Sequence, residues 1–346
     1  MTGVASSKPA PFAPVRSDWL ALRAEEVLDP DIAIVDAHHH LWDRAECPYL
    51  IPDLLLDVGA GHAIRGTVFV ECRTRYRRDG ERALRSLGET EFAARAGEEA
   101  ARSGGSTARL CAGIVAFVDL QEGGEAVDAL LDAHGDLARG RLRGIRNMSA
   151  WDPQSASSGK GPPRELLMSA AFRSGFGRLA AHGLTFDAWM FHAQLGELRD
   201  LADTFPGTPI VLNHVGGPVG TGGHPADREV VFREWSVAMR ALSSCPNVYV
   251  KLGGLGMSIF GFGFHEQSAP PSSQELAETW RRYIDTCIQA FGPARCMFES
   301  NFPVDKCSCN YTTLWNAFKR VTSGYSRQER EQLFSGTASN FYRLNV

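Results

Sequence analysis

Short runs rich in β-branched residues alternate with longer amphipathic stretches from about residue 32 to the end of the chain. No other feature restricts the fold as much, because a strand and a helix that recur in turn must pack as parallel crossover units. IAIVDAH (32–38), GTVFVEC (66–72), RLCAGIVAFVD (109–119) and LRGIRN (142–147) predict four buried strands. LTFDAWMF (184–191), TPIVLNH (208–214), NVYVKLG (247–253) and RCMFES (295–300) predict four more. Helical patterns such as 81–103, 125–138, 164–183, 195–205, 228–245 and 272–291 lie between them. Eight such units fit a closed (β/α)8 TIM barrel, since right-handed crossovers cover both faces of each strand and closure removes the edges. The alternative, an open doubly wound sheet, carries a glycine-rich phosphate turn after its first strand. Here that turn is histidine-rich, DAHHHLWD (36–43).

At 346 residues the chain exceeds the about 250 residues typical of a barrel, and no interior linker divides it. Residues 1–17, MTGVASSKPAPFAPVRS, lack the apolar segment of a signal peptide and are expected as a disordered tail, leaving 18–346 as one barrel domain. A formal charge of −4 with no long basic run gives no field for nucleic acid or an anionic membrane. No apolar run reaches the roughly 18 residues of a spanning helix. A small-molecule substrate is therefore the expected partner; a homo-oligomer is admitted but not indicated. The eight cysteines show no CxxC spacing, which suits a reduced, cytoplasmic setting. Cys307 and Cys309 form a lone CxC, read as two loop or core thiols.

In a barrel the chemistry gathers where strands end. Side chains alternate along a strand, so His38 and His40 project one way and His39 the other. A pair of imidazoles so placed can hold a divalent metal or donate to a carbonyl oxygen. His214 ends the sixth predicted strand, before two glycines, and His192 ends the fifth; each is a site candidate or a hydrogen-bonded structural histidine. Glu299, one layer deeper than Asn301 on the eighth strand, needs a partner in the barrel, since a buried carboxylate is costly alone. A metal, a histidine, Lys251 or an arginine can serve. Arg73, Arg75 and Arg146 offer planar forks for an anionic substrate, or are solvated loop residues. Trp42, Trp151 and Trp189 line the same mouth or pack beneath it. The loops 154–163 and 216–228 follow strands, and 254–272, glycine-rich and aromatic, is a lid bearing His265 or an ordinary surface loop.

The ordered set DAHHHLWD, VFVEC, GIRN, FDAWMFHAQLGEL, VLNHVGGP, VYVKLGGL, FESNFPVDK and GTASNFYRL resembles the amidohydrolase-related barrel hydrolases that include 2-pyrone-4,6-dicarboxylate lactonase, fuconolactonase and sulfomuconolactonase. The resemblance spans nearly the whole chain after the tail. It implies an amidohydrolase-like barrel that hydrolyses a lactone, with His38, His40 and His214 on the group's matching site histidines. It also implies either one divalent metal, zinc first, on those three histidines, or metal-free catalysis, since members of the group work both ways. One departure matters: the group ends strand eight with Ser-Asp-Trp-Pro, its aspartate acting as base or ligand, whereas this chain reads Ser300, Asn301, Phe302, Pro303. A carboxamide cannot accept that proton at neutral pH.

The expected chemistry is thus opening of a small, carboxylate-bearing cyclic ester. His38, His40 and His214 polarise the carbonyl, Glu299 or His192 activates water, Asn301 orients water or substrate, and Arg73 or Arg146 clamps a carboxylate, with Trp42 and Trp189 against the substrate. The alternatives are a metal-dependent decarboxylase or C–C hydrolase of the same superfamily, and a binding protein without turnover.

Overall fold

The computed structural model describes residues 13–45, 47–104, 107–153, 161–219 and 225–346. Most of the expected tail and parts of the 154–163 and 216–228 loops lie outside these. Eight parallel strands form one sheet in consecutive order: β1 Ala33–His39, β2 Ala63–Val70, β3 Arg109–Ala116, β4 Leu142–Met148, β5 Thr185–Trp189, β6 Ile210–Leu212, β7 Val248–Leu252 and β8 Cys296–Phe298. That order has no switch point, which excludes the doubly wound alternative. Two backbone bonds just past β8 join the ends of the sheet. Asn301 N–H donates to His38 O (2.8 Å) and His40 N–H to Phe302 O (2.7 Å). Closure thus runs through residues that the sequence offers as site candidates.

The barrel interior is filled by alternate strand residues, Val35, Val68, Val115, Val211 and Met297 among them. Ala338, Phe341, Tyr342 and Leu344, from the closing GTASNFYRL motif, pack against this inner cluster. The outer layer follows from helical periodicity. In the helix Ser273–Phe291, Leu276, Trp280, Tyr283, Ile284, Cys287 and Phe291 are buried, a stripe at spacings of three and four. Its start is set by a capping box, Ser272 Oγ accepting from Glu275 N–H (3.2 Å) while the Glu275 carboxylate accepts from Ser272 N–H (2.7 Å). Helices Ile51–Val58 and Tyr311–Val321 follow β1 and β8 and complete the ring.

The helical pattern expected over 164–183 breaks in two, a 3-10 turn at Leu166–Met168 and a short helix at Ala170–Phe176. Ser169 between them is extended and accepts from Phe172 N–H (3.3 Å), so it caps a new helix rather than continuing the old one. Arg16, within the stretch expected as tail, donates to His265 O (2.5 Å), and Trp19 Nε1 to Gln267 O (2.9 Å). These bonds tie the start of the described chain to the loop after β7. All eight cysteines are free; Cys307 and Cys309 are buried. Among the described residues no helix is long and apolar enough to cross a membrane.

Candidate active site

Alternation along β1 separates the three histidines as their spacing predicts. His39 turns toward β2, its Nε2 2.9 Å from Thr67 Oγ1. His38 and His40 share the other side with their Nε2 atoms 3.2 Å apart. His40 Nδ1 lies 2.8 Å from Val70 O, so it donates there and its ring, stacked on Trp42, is fixed.

From across the barrel, β6 delivers His214. Its φ of 54°, followed by positive φ at Val215, Gly216 and Gly217, turns the chain sharply. The His214 ring centroid lies 4.7 Å from that of His38 and 4.7 Å from that of Trp189, which meets it edge-on. Burial pushes His38, His40 and His214 well below the ordinary histidine range, so all three imidazoles are neutral at pH 7.

Glu299 supplies the carboxylate. Its Oε1 lies 3.0 Å from His214 N and 2.7 Å from His214 Nδ1. Oε2 sits 3.0 Å from His38 Nδ1 without hydrogen-bond alignment. Burial raises this carboxyl to about 8, with Lys251 pulling the other way. Glycines of YVKLGGL make the room: a Cβ at Gly253 would stand 2.5 Å from Glu299 Cγ, and one at Gly254 2.5 Å from His214 Nδ1.

Two buried ion pairs hold the cluster. Lys251 Nζ donates to Asp187 Oδ2 (2.7 Å) and lies 3.2 Å from His38 Nδ1. Asp187 also accepts from Asn213 Nδ2 (3.0 Å) and Tyr342 OH (2.9 Å). On the other flank Arg146 Nε donates to Glu71 Oε1 (2.8 Å), a second nitrogen donates to Glu71 O, and Nη1 reaches to 3.4 Å from His38 Nε2. Both ring nitrogens of His38 therefore face a fixed cation. The partner of Lys251 is Asp187, not Glu299.

Not every expected residue turns its side chain to this cluster. Asn301 Nδ2 is committed to Asp305 Oδ1 (2.7 Å), and a φ of 54° ends the strand alternation there. His192 opens a 3-10 turn, with Nε2 4.0 Å from Glu234 Oε2. Its backbone N–H donates to Gly217 O (3.0 Å), in the turn that carries His214. Arg73 is exposed and, with Arg82 and Asn147, lines a cavity of about 260 Å³ beyond β2–β4. Arg75 pairs with Asp43 at 2.9 Å. Trp42 is buried beneath His40, and Trp151 N–H donates to Gln194 Oε1 (3.0 Å). Sequence reasoning missed Asp187 and Glu71, although a single acid inside an otherwise apolar strand was the available signal.

Three groups capable of holding a cation, His38, His214 and Glu299, converge with their ligand atoms within 4.8 Å of one another. His40 adjoins this set through its 3.2 Å contact with His38. Neutral imidazoles, a buried carboxyl and two anchored cations at the barrel mouth can bind an anionic or ester-like substrate and move a proton.

Comparison with known proteins agrees with this architecture. An uncharacterized protein, y4mH, of Sinorhizobium fredii is 32% identical over 336 residues, covering 91% of this chain and 99% of that one. An L-fucono-1,5-lactonase of Burkholderia multivorans is 25% identical over 329 residues, 90% of this chain and 96% of that one. An amidohydrolase crystal structure from Burkholderia multivorans superposes with a TM-score of 0.68 in two forms. The form with HEPES is 25% identical and the form with zinc 24%; each alignment covers 90% of this chain and 99% of the other. The profile of the family described as Amidohydrolase matches residues 35–344, from within β1 to the segment that closes the barrel interior, so the chain belongs to the amidohydrolase family.

Proposed function

We propose that this enzyme opens a small, carboxylate-bearing lactone by attack of water at the C-terminal rim of its barrel. The observation that carries the reading is the placement of Glu299, a dry carboxyl held between His214 and His38 beside two anchored cations. A carboxyl poised near neutrality is suited to take a proton from water. The role that Asn301 cannot fill thus falls to the residue two positions before it. Arg146 Nη1 and Lys251 Nζ, on either side of His38, provide the positive field in which an ester oxygen gains charge, and His38, His40 and His214 line that point. Arg73 and Arg82 in the neighbouring cavity support a carboxylate on the substrate. The lactonase relative, alike over nearly its full length, supports the same reaction class.

The donor set is also compatible with a divalent cation. Glu299 Oε2 is buried without a hydrogen bond and the imidazoles near it are uncharged. His38, His214 and Glu299 would hold the ion, with His40 beside them, and the zinc in the Burkholderia structure supports zinc as the choice. When bound, it supplies Lewis acidity toward the ester carbonyl. The cations beside His38 oppose it and predict modest affinity.

The test is a lactone screen, before and after chelation, with proton release and carbon dioxide both followed. Proton release without carbon dioxide, lost in His38→Ala and His214→Ala proteins that keep their circular dichroism, is the expected result. Carbon dioxide release would make the enzyme a decarboxylase instead, and full activity in both variants would remove the site.

A further inference from the structure

Beyond the histidine cluster, the ends of β5, β7 and β8 enclose a recess of about 130 Å³. Trp189, Phe191, Met257, Ile259 and Val304 give it carbon walls. Trp189 belongs to both places: it lines the recess and its ring meets His214 at 4.7 Å. A group resting in the recess therefore lies one indole away from the imidazole that Glu299 holds.

The polar side chains of the recess are few. Ser258 contributes a hydroxyl, and the Cys307 thiol is turned to Gly256 O (3.7 Å). A polyhydroxylated lactone brings several hydroxyls, and each one buried without a partner costs roughly tenfold in binding. A hydrocarbon group has no such cost and gains roughly fourfold for each methylene removed from water. Size points the same way, since an apolar cavity of about 150 Å³ accommodates a benzene ring.

Ile259 is 42% exposed and belongs to this lining, a large apolar side chain left in water beside an apolar recess. The wall is also fastened. Ala13 lines the recess, and the chain after it is bonded through Arg16 and Trp19 to the carbonyls of His265 and Gln267 in the loop that carries Met257 and Ile259.

We propose that this recess binds a hydrocarbon substituent of the substrate, a six-membered ring or a branched chain of similar size. The enzyme then acts on aryl- or alkyl-substituted lactones in preference to sugar lactones. The inference rests on the lactone reading for its catalytic half, and on the recess alone for its binding half.

Two measurements separate these halves. The first compares kcat/KM for a phenyl-substituted δ-lactone and L-fucono-1,5-lactone. A preference of about 100-fold for the phenyl compound is expected, and equal or reversed preference would overturn the proposal while leaving lactone hydrolysis in place. The second needs no turnover: calorimetric binding of 3-phenylpropionate and of gluconate to the wild type, Ile259→Asp and Ile259→Leu. Binding of 3-phenylpropionate alone, weakened about tenfold or more by Ile259→Asp and kept by Ile259→Leu, is expected. If this holds while no lactone is hydrolysed, the reaction is wrong and the recess stands. If 3-phenylpropionate does not bind, or binds all three proteins alike, the recess is not a hydrocarbon site, whatever the enzyme hydrolyses.

Discussion

Glu299 and His214 are joined twice through one carboxylate oxygen, at 3.0 Å from the backbone nitrogen and 2.7 Å from ring Nδ1. The chain turn at His214 and the carboxyl just past β8 are thereby locked to each other. Glu299→Gln keeps the shape of this link and removes the base. Steady-state kinetics should show kcat lower by about 10²- to 10⁴-fold with KM changed little. A variant with wild-type kcat would place the base elsewhere.

Activity and stability should move in opposite directions with pH. Burial raises Glu299 from 4.5 to about 8, so kcat/KM should climb with pH through a limb near 8 as the carboxyl loses its proton. A carboxyl whose folded pKa lies above its unfolded value stabilises the fold fully below about 4.5 and loses that contribution as pH rises through 8. Glu89, raised to about 8 by burial and by Glu71, acts over the same window. The buried histidines, lowered from 6.5, give the opposite slope up to about that pH, so urea midpoints should fall over the remaining part of this window, between about pH 6.5 and 8. Glu299→Gln should remove the activity limb and part of the stability slope, with the share of Glu89 remaining; an unchanged slope would mean that Glu299 ionises normally.

The barrel was legible because its strands are apolar, bounded by loops and eight in number, and the HxH at 38 and 40 was legible because alternation along a strand is rigid. Glu299 was found for the same reason. Its partner was only narrowed to a metal, a histidine, Lys251 or an arginine, because sequence spacing cannot tell which of several strands will face Glu299; the imidazole of His214 takes that place, and Lys251 is held by Asp187 instead. Asn301 and His192 were both read from their position after a strand, and the backbone bends at each. Asn301 adopts the left-handed backbone that asparagine enters more readily than other residues with a Cβ, so its identity carried a signal, whereas the 3-10 turn at His192 had none in the residue itself. Glu71 and Asp187 were passed over although a lone acid in an apolar strand is as informative as a lone histidine.

The Lys251–Asp187 pair should behave as a buried unit. Both side chains are fully buried, and Lys251→Met would leave Asp187, among the described residues, with Asn213 and Tyr342 as its side-chain hydrogen-bond partners. Removing one member of such a pair costs about 3–5 kcal/mol, so equilibrium urea unfolding should show a loss of that order. Adding Asp187→Asn should return a large part of it, because the double variant buries no unpaired charge. If the double variant is no more stable than Lys251→Met, the pair is not what holds the strands.

Gly254 offers the sharpest check on the packing of the site. Its φ is +71°, and a Cβ there would stand 2.5 Å from His214 Nδ1 and Cγ. Gly261 has nearly the same backbone, φ +70°, but an added Cβ would meet only Arg228 Nη2 at 3.8 Å. Alanine at 261 thus measures the backbone strain alone, about 1 kcal/mol, with kcat unaffected. Alanine at 254 adds a clash with a ring that Glu299 and Trp189 prevent from withdrawing, so the imidazole must leave its carboxylate or the strand ends must part. Gly254→Ala should lose about 2–4 kcal/mol and most of the activity, measured by urea unfolding and by kcat on one lactone. Equal behaviour of the two variants would mean that His214 is free to move, and that the geometry assigned to it is not what the enzyme uses.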